Sequence, residues 1–75
     1  MNITDSMLPY FDVEIQNIIL ANKQIQMYAN PYSGQYQWRD SRFYETSSDF
    51  DNEKADTRKD LANIVTEHIL NYKTN

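Results

Sequence analysis

Tyr28, Tyr32, Tyr36, Trp38, Phe43 and Tyr44 fall within the stretch YANPYSGQYQWRDSRFY, with Arg39 and Arg42 among them. Aromatic rings beside guanidinium groups can stack nucleic-acid bases, fill a small core, or grip a protein partner. Direct binding to DNA or RNA needs a basic footprint that displaces counterions. This chain carries a net charge of -4 and places only Arg39 and Arg42 among these aromatics, so direct nucleic-acid contact is set aside. Tyrosine beside arginine is a composition enriched at protein interfaces. Tyr36 and Trp38 are assigned to the core, where they cover the apolar face of a helix. Tyr28 and Tyr32, which flank a turn, are left with Arg39 and Arg42 as candidate partner-binding residues.

The acids form a second candidate surface. Glu45, Asp49, Asp51 and Glu53 follow one another with no intervening base and carry the whole charge surplus, because the remaining seven acids balance the seven bases. On a helix of about 100° per residue, Asp49, Glu53, Asp56, Asp60 and Glu67 recur on one stripe. Such a line of carboxylates can imitate a nucleic-acid backbone, and it is equally what the solvated face of a soluble helix requires. Asp49 to Asp60 superficially follows calcium-loop spacing. It fails at the sixth position, where Lys54 stands instead of the glycine the sharp turn needs, and again at Asp56, where an apolar residue belongs.

Chemistry of the catalytic kind finds little material. His68 is the only histidine and there is no cysteine, so a Cys/His zinc site cannot be assembled within the chain. His68 lies in an apolar stripe between Val65 and Tyr72 and reads as a core or interface residue. No G-x-S-x-G elbow presents a serine, and Ser47 and Ser48 are assigned with Asp49 to capping a helix. A single glycine excludes a phosphate-cradling loop. The chain is read as non-catalytic, with no cofactor and no metal.

The elements that must position these residues are expected to form one α+β domain spanning 1–75. Residues 1–8 read as a loose lead-in ended by Pro9. Residues 10–45 read as β-rich: Phe11, Val13 and Ile15 alternate with polar neighbours, Ile25 and Met27 do so again after a turn at ANKQ, and Tyr36 and Trp38 do so after the turn Asn30-Pro31-Tyr32-Ser33-Gly34. A helix over the first of these segments is the alternative, since Phe11, Ile15, Ile18 and Ile25 would share a face. Val13, Leu20 and Met27 would then point away from it. An amphipathic helix is expected over 49–72, where Leu61, Ile64, Val65, His68, Ile69 and Tyr72 keep helical spacing. The resulting fold is a small antiparallel β-meander of about three strands packed on one C-terminal α-helix. A chain this short buries only about 60% of its unfolded surface, and no disulfide can staple it, so a homodimer that pools two small cores is expected. No signal-peptide pattern or membrane-length apolar run is visible, which points to the cytoplasm and away from membranes.

In size, acidity and composition the chain resembles the small host-takeover inhibitors of bacteriophages, some of which mimic DNA. The resemblance implies an inhibitor whose acidic, DNA-mimicking face blocks the site of a host DNA-binding protein, such as a sliding clamp, a nucleoid protein or a nuclease. It assigns no residue roles, and anti-CRISPR and immunity proteins fit the same description. A structural or regulatory homodimeric module, assembling through its aromatic surface, is the reading from another class.

Overall fold

The computed structural model of the chain describes residues 1–43 and 54–73. Its centre is an antiparallel hairpin of β1 (Ile25–Ala29) and β2 (Tyr36–Asp40), in which Met27 faces Trp38 and Ile25 faces Asp40. The fold is therefore α+β with a C-terminal helix, but the sheet has two strands rather than about three. Directly after β2, Ser41–Phe43 form a 3₁₀ turn. Among the described residues three helices complete the elements: α1 (Thr4–Met7), α2 (Val13–Ala21) and α3 (Arg58–Lys73), with a second 3₁₀ turn at Leu8–Tyr10.

The largest departure from the sequence reading is α2, which stands where the first strand was expected. Phe11, Val13 and Ile15 have the alternation of a strand, but the segment runs on to Ile19 without a break, and helical spacing brings Ile15 and Ile19 to one buried side. Local bonds at both ends favour the helix. Gln16 Nε2 donates to the carbonyls of Leu8 and Phe11, and Asn22 Nδ2 closes the other end by donating to the carbonyl of Ile18. The turn expected at ANKQ is present, but it leads from α2 into β1.

Residues 1–8 are not a loose lead-in. Ile3 N–H donates to the Met27 carbonyl, Ala29 N–H donates to the Met1 carbonyl, and Met7 is fully buried. Thr4 ties this segment down further, because its Oγ1 accepts the N–H of Met27 while its own N–H is capped by Asn2 Oδ1. On the opposite edge of the hairpin, Ala55 exchanges both backbone bonds with Tyr36. Each strand of the hairpin thus has short backbone partners on its outer side, which satisfies donors and acceptors that an exposed edge leaves open.

The C-terminal helix also starts later than its expected 49. Thr57 is its cap: Oγ1 accepts the N–H of Asp60 at 3.1 Å and the Thr57 carbonyl accepts the N–H of Leu61. The expected caps Ser47, Ser48 and Asp49 lie outside the described residues. Leu61, Val65 and Ile69 then enter one core with Met7, Phe11, Ile15, Ile19, Ile25, Met27 and Trp38.

The helical register of α2 and the burial of the N-terminus are checked together by chemical denaturation. Met7→Ala should lower the unfolding free energy by about 2–4 kcal/mol, as for a buried large-to-small change. Val13→Ala, at a position 71% exposed, should change it by less than about 0.5 kcal/mol. A strand over residues 11–20 with Val13 facing inward would make the second change costly too.

Candidate functional site

Two groups of polar and aromatic side chains stand out, and they do different work. The first is buried. Asp40 ends β2 on the same face as Trp38 and is fully inaccessible, as a pleated strand with alternating sides dictates once Trp38 faces the core. Its carboxylate receives Nε of Arg42 at 2.9 Å on Oδ1, Nη2 of Arg42 at 2.6 Å on Oδ2, and the backbone N–H of Arg42 at 3.1 Å on Oδ1. His68, from the middle of α3, brings Nε2 to 2.8 Å from Oδ2. Its ring also packs on Trp38, with centroids 4.3 Å apart. Burial pushes the Asp40 carboxyl up, but the bonds from Arg42 and His68 and the adjacent positive charge outweigh it and hold the group below its ordinary value of 3.8. The same bonds hold Arg42 above its own. With Asp40 ionised, Nε2 of His68 is the nitrogen that carries the shared proton.

An Asp–His pair can orient a base for catalysis, but His68 is only 6% exposed and its Nε2 is turned inward onto the carboxylate. The arrangement is a clasp that joins the end of the hairpin to α3. Arg42, a candidate partner-binding residue in the sequence, therefore belongs to this clasp. Asp40 is not among the candidate residues singled out in the sequence. The signal was available: it shares strand parity with Trp38 and precedes Arg42 by two residues, the spacing at which an aspartate accepts the backbone N–H ahead of it.

The second group is open. On the outer face of the hairpin, Gln26 and Tyr28 of β1 lie beside Arg39 and Gln37 of β2, with Asn2 opposite Tyr28 on the N-terminal side. This face is polar and rich in amides, and Asn2 Nδ2 donates to Gln26 Oε1 at 2.6 Å. At its far end Asn30 builds the turn by accepting the N–H groups of Tyr32 and Ser33 on Oδ1. Gly34, at φ +73°, supplies the left-handed residue that brings the chain back. Tyr32 is left 98% exposed. Tyr28, Tyr32 and Arg39 line one open cavity of about 470 Å³, together with Asn30, Pro31 and Gln37. The structure thus brings together three of the partner-binding candidates.

The acidic candidates fare differently. Glu45, Asp49, Asp51 and Glu53 lie outside the described residues. Asp56 precedes α3 and accepts Gln35 Nε2 at 3.4 Å, so it does not continue a helical stripe. Asp60 and Glu67, seven residues apart on α3, share one exposed side of it. Among the described residues the acids and bases balance, and no three His, Cys, Asp or Glu side chains are grouped to hold a metal. Among the described residues, no helix is long and apolar enough to cross a membrane.

The chain matches no protein-family model, no curated protein and no solved structure.

The clasp makes a pH prediction. A carboxyl whose folded pKa is lowered binds fewer protons in the folded state, so its stabilisation is complete above the ordinary value of 3.8 and is lost as pH falls through the lower folded value. Asp40→Ala should destabilise the protein at pH 7 by about 2–4 kcal/mol, near the lower end for breaking a buried pair because Arg42 remains partly solvated. The difference between wild type and this variant, followed by urea unfolding at several pH values, should shrink below pH 4.

Proposed function

We propose that this protein is a non-catalytic regulator that acts by binding another protein through the outer face of its hairpin. The observation that carries this reading is the convergence of Tyr28, Tyr32 and Arg39 on one open cavity. The one histidine is committed to a buried structural bond. Tyrosines contribute large contact area with little rotamer entropy to lose, and arginine adds a planar donor array, so the pair suits a protein surface. The amide of Gln37 lines the same cavity beside them.

A second reading is favoured by one further observation, the charge surplus. Glu45, Asp49, Asp51 and Glu53 supply all of the net -4, and they follow β2 directly in sequence. In that reading the bound partner is a host DNA-handling protein and the acids occupy its basic DNA site, as an inhibitor would.

One binding experiment separates the two. The tagged protein is used as bait in nuclease-treated lysate, its retained partner is identified by mass spectrometry, and affinity is then measured with purified components. Tyr28→Ala with Tyr32→Ala should weaken binding at least about tenfold, as expected for aromatic anchors. Lysine at Glu45, Asp49, Asp51 and Glu53 should leave it nearly unchanged. Abolition by the charge reversal alone, with steep weakening in high salt, would select the DNA-site inhibitor instead. Retention by both variants would reject both surfaces.

A further inference from the structure

The core accounts for only one side of α2. Ile15 and Ile19 are 3% exposed, yet Val13 is 71% and Leu20 48% exposed. Seven residues apart, these two stand within about 20° of each other around the helix, on the side away from the core. Just before the helix, Tyr10 is 50% exposed. Just beyond Leu20 is a cavity of about 520 Å³, with Ile3, Leu8, Ile19 and Leu20 in its walls beside Asp5, Lys23 and Gln26. One end of this short ridge therefore offers an aromatic knob and the other a recess with mixed polar and apolar walls.

The charges at the two ends are opposite. Asp12 sits at the start of α2 and Lys23 two residues past its end, both exposed. Neither side chain has a hydrogen-bond or ion-pair partner among the described residues. A surface with a knob and an acid at one end and a recess and a base at the other is complementary to itself when turned through 180°.

We propose that α2 is the contact face of a two-fold homodimer in which two copies of the helix pack antiparallel. Val13 of each copy meets Leu20 of the other. That register puts Tyr10 of one copy at Lys23 of the other, at the mouth of the recess, and brings Asp12 within reach of the same lysine. Asn17, exposed at the centre of the ridge, lies near the two-fold axis, where an amide pair fixes register at some cost in stability. A helix of nine residues buries less than a standard-sized interface, so the dimer is weak and depends on concentration. The contact lies apart from Tyr28, Tyr32 and Arg39, and it stands or falls separately from the binding role argued for them.

The test is sedimentation equilibrium of the full chain from about 10 μM to about 1 mM, a range that brackets a weak association. Wild type should pass from monomer to dimer across it. Leu20→Glu should weaken the association by at least about tenfold, because it buries a charge without a partner. Val13→Glu, at the more exposed position, should do the same and guards against a folding defect in the first variant, with circular dichroism confirming the helix in both. Lys23→Glu should weaken the dimer, and adding Asp12→Lys to it should restore association, since the swap re-pairs the charges across the axis. Tyr28→Ala with Tyr32→Ala should leave it unchanged. A wild-type chain that stays monomeric throughout overturns the proposal. So does a dimer indifferent to Leu20→Glu and Val13→Glu, one that the charge swap does not restore, or one lost on removing Tyr28 and Tyr32.

Discussion

A carboxylate buried without partners costs several kilocalories, so the full burial of Asp40 dictates much of what surrounds it. Arg42 is a local partner, two residues on, and needs only the 3₁₀ turn at Ser41–Phe43 to reach back. His68 is a distant one, 28 residues away in sequence. The bond between them can form only when α3 lies across the inner face of β2 with one rotation about its axis. That rotation is the one that sends Leu61, Val65 and Ile69 into the core. Trp38 braces the arrangement by packing against the imidazole. A nonpolar residue at position 40 would allow α3 to slide or roll; the pairing geometry narrows it to one pose.

The N-terminal residues make the corresponding join on the other side. Thr4 combines three bonds in one place, to Asn2, to Gln26 and to the backbone of Met27. This holds α1 to β1 and seats Met7 in the core. Near the start of α3, Arg58 reaches Ser6 at 3.0 Å and lies over the Tyr36 ring at 5.6 Å. The first and last helices are thereby tied through side chains of both polar and aromatic kinds. With no cysteine available, such cross-links take the place of covalent staples.

How much of this was readable beforehand divides along physical lines. The hairpin was legible because Ile25, Met27, Tyr36 and Trp38 have clean alternation on either side of a Pro/Gly turn. The C-terminal helix was legible from Leu61 to Ile69, though its start was not, since Thr57 and Asp60 form a cap as good as any serine upstream. The α2 segment misled because an exposed Val13 and Leu20 give a helix two apolar sides, and a two-sided apolar pattern looks like a strand that has slipped register. The N-terminus misled because its anchoring depends on backbone bonds to β1, which leave no trace in residue periodicity. Of the candidate site, Tyr28, Tyr32 and Arg39 were found by composition. Their shared cavity required knowing that Gln37 and Tyr28 are cross-strand neighbours.

The two short segments that flank the hairpin come from opposite sides of it in the chain: Met1 to Ile3 precede β1, while Ala55 follows β2 by fifteen residues. For a chain made from its N-terminus, this sets an order of assembly. The β1 side can be closed as soon as the hairpin leaves the ribosome, since everything it needs has already been made. The β2 side must wait for Ala55, and the Asp40 carboxylate must wait longer still, until His68 has emerged. During that interval the nascent hairpin has one protected edge and one open edge, with Arg42 alone offsetting a charge bound for the interior. Protection from wrong pairing is thus acquired one flank at a time, the second with Ala55, and the middle of α3 then brings the last partner of Asp40.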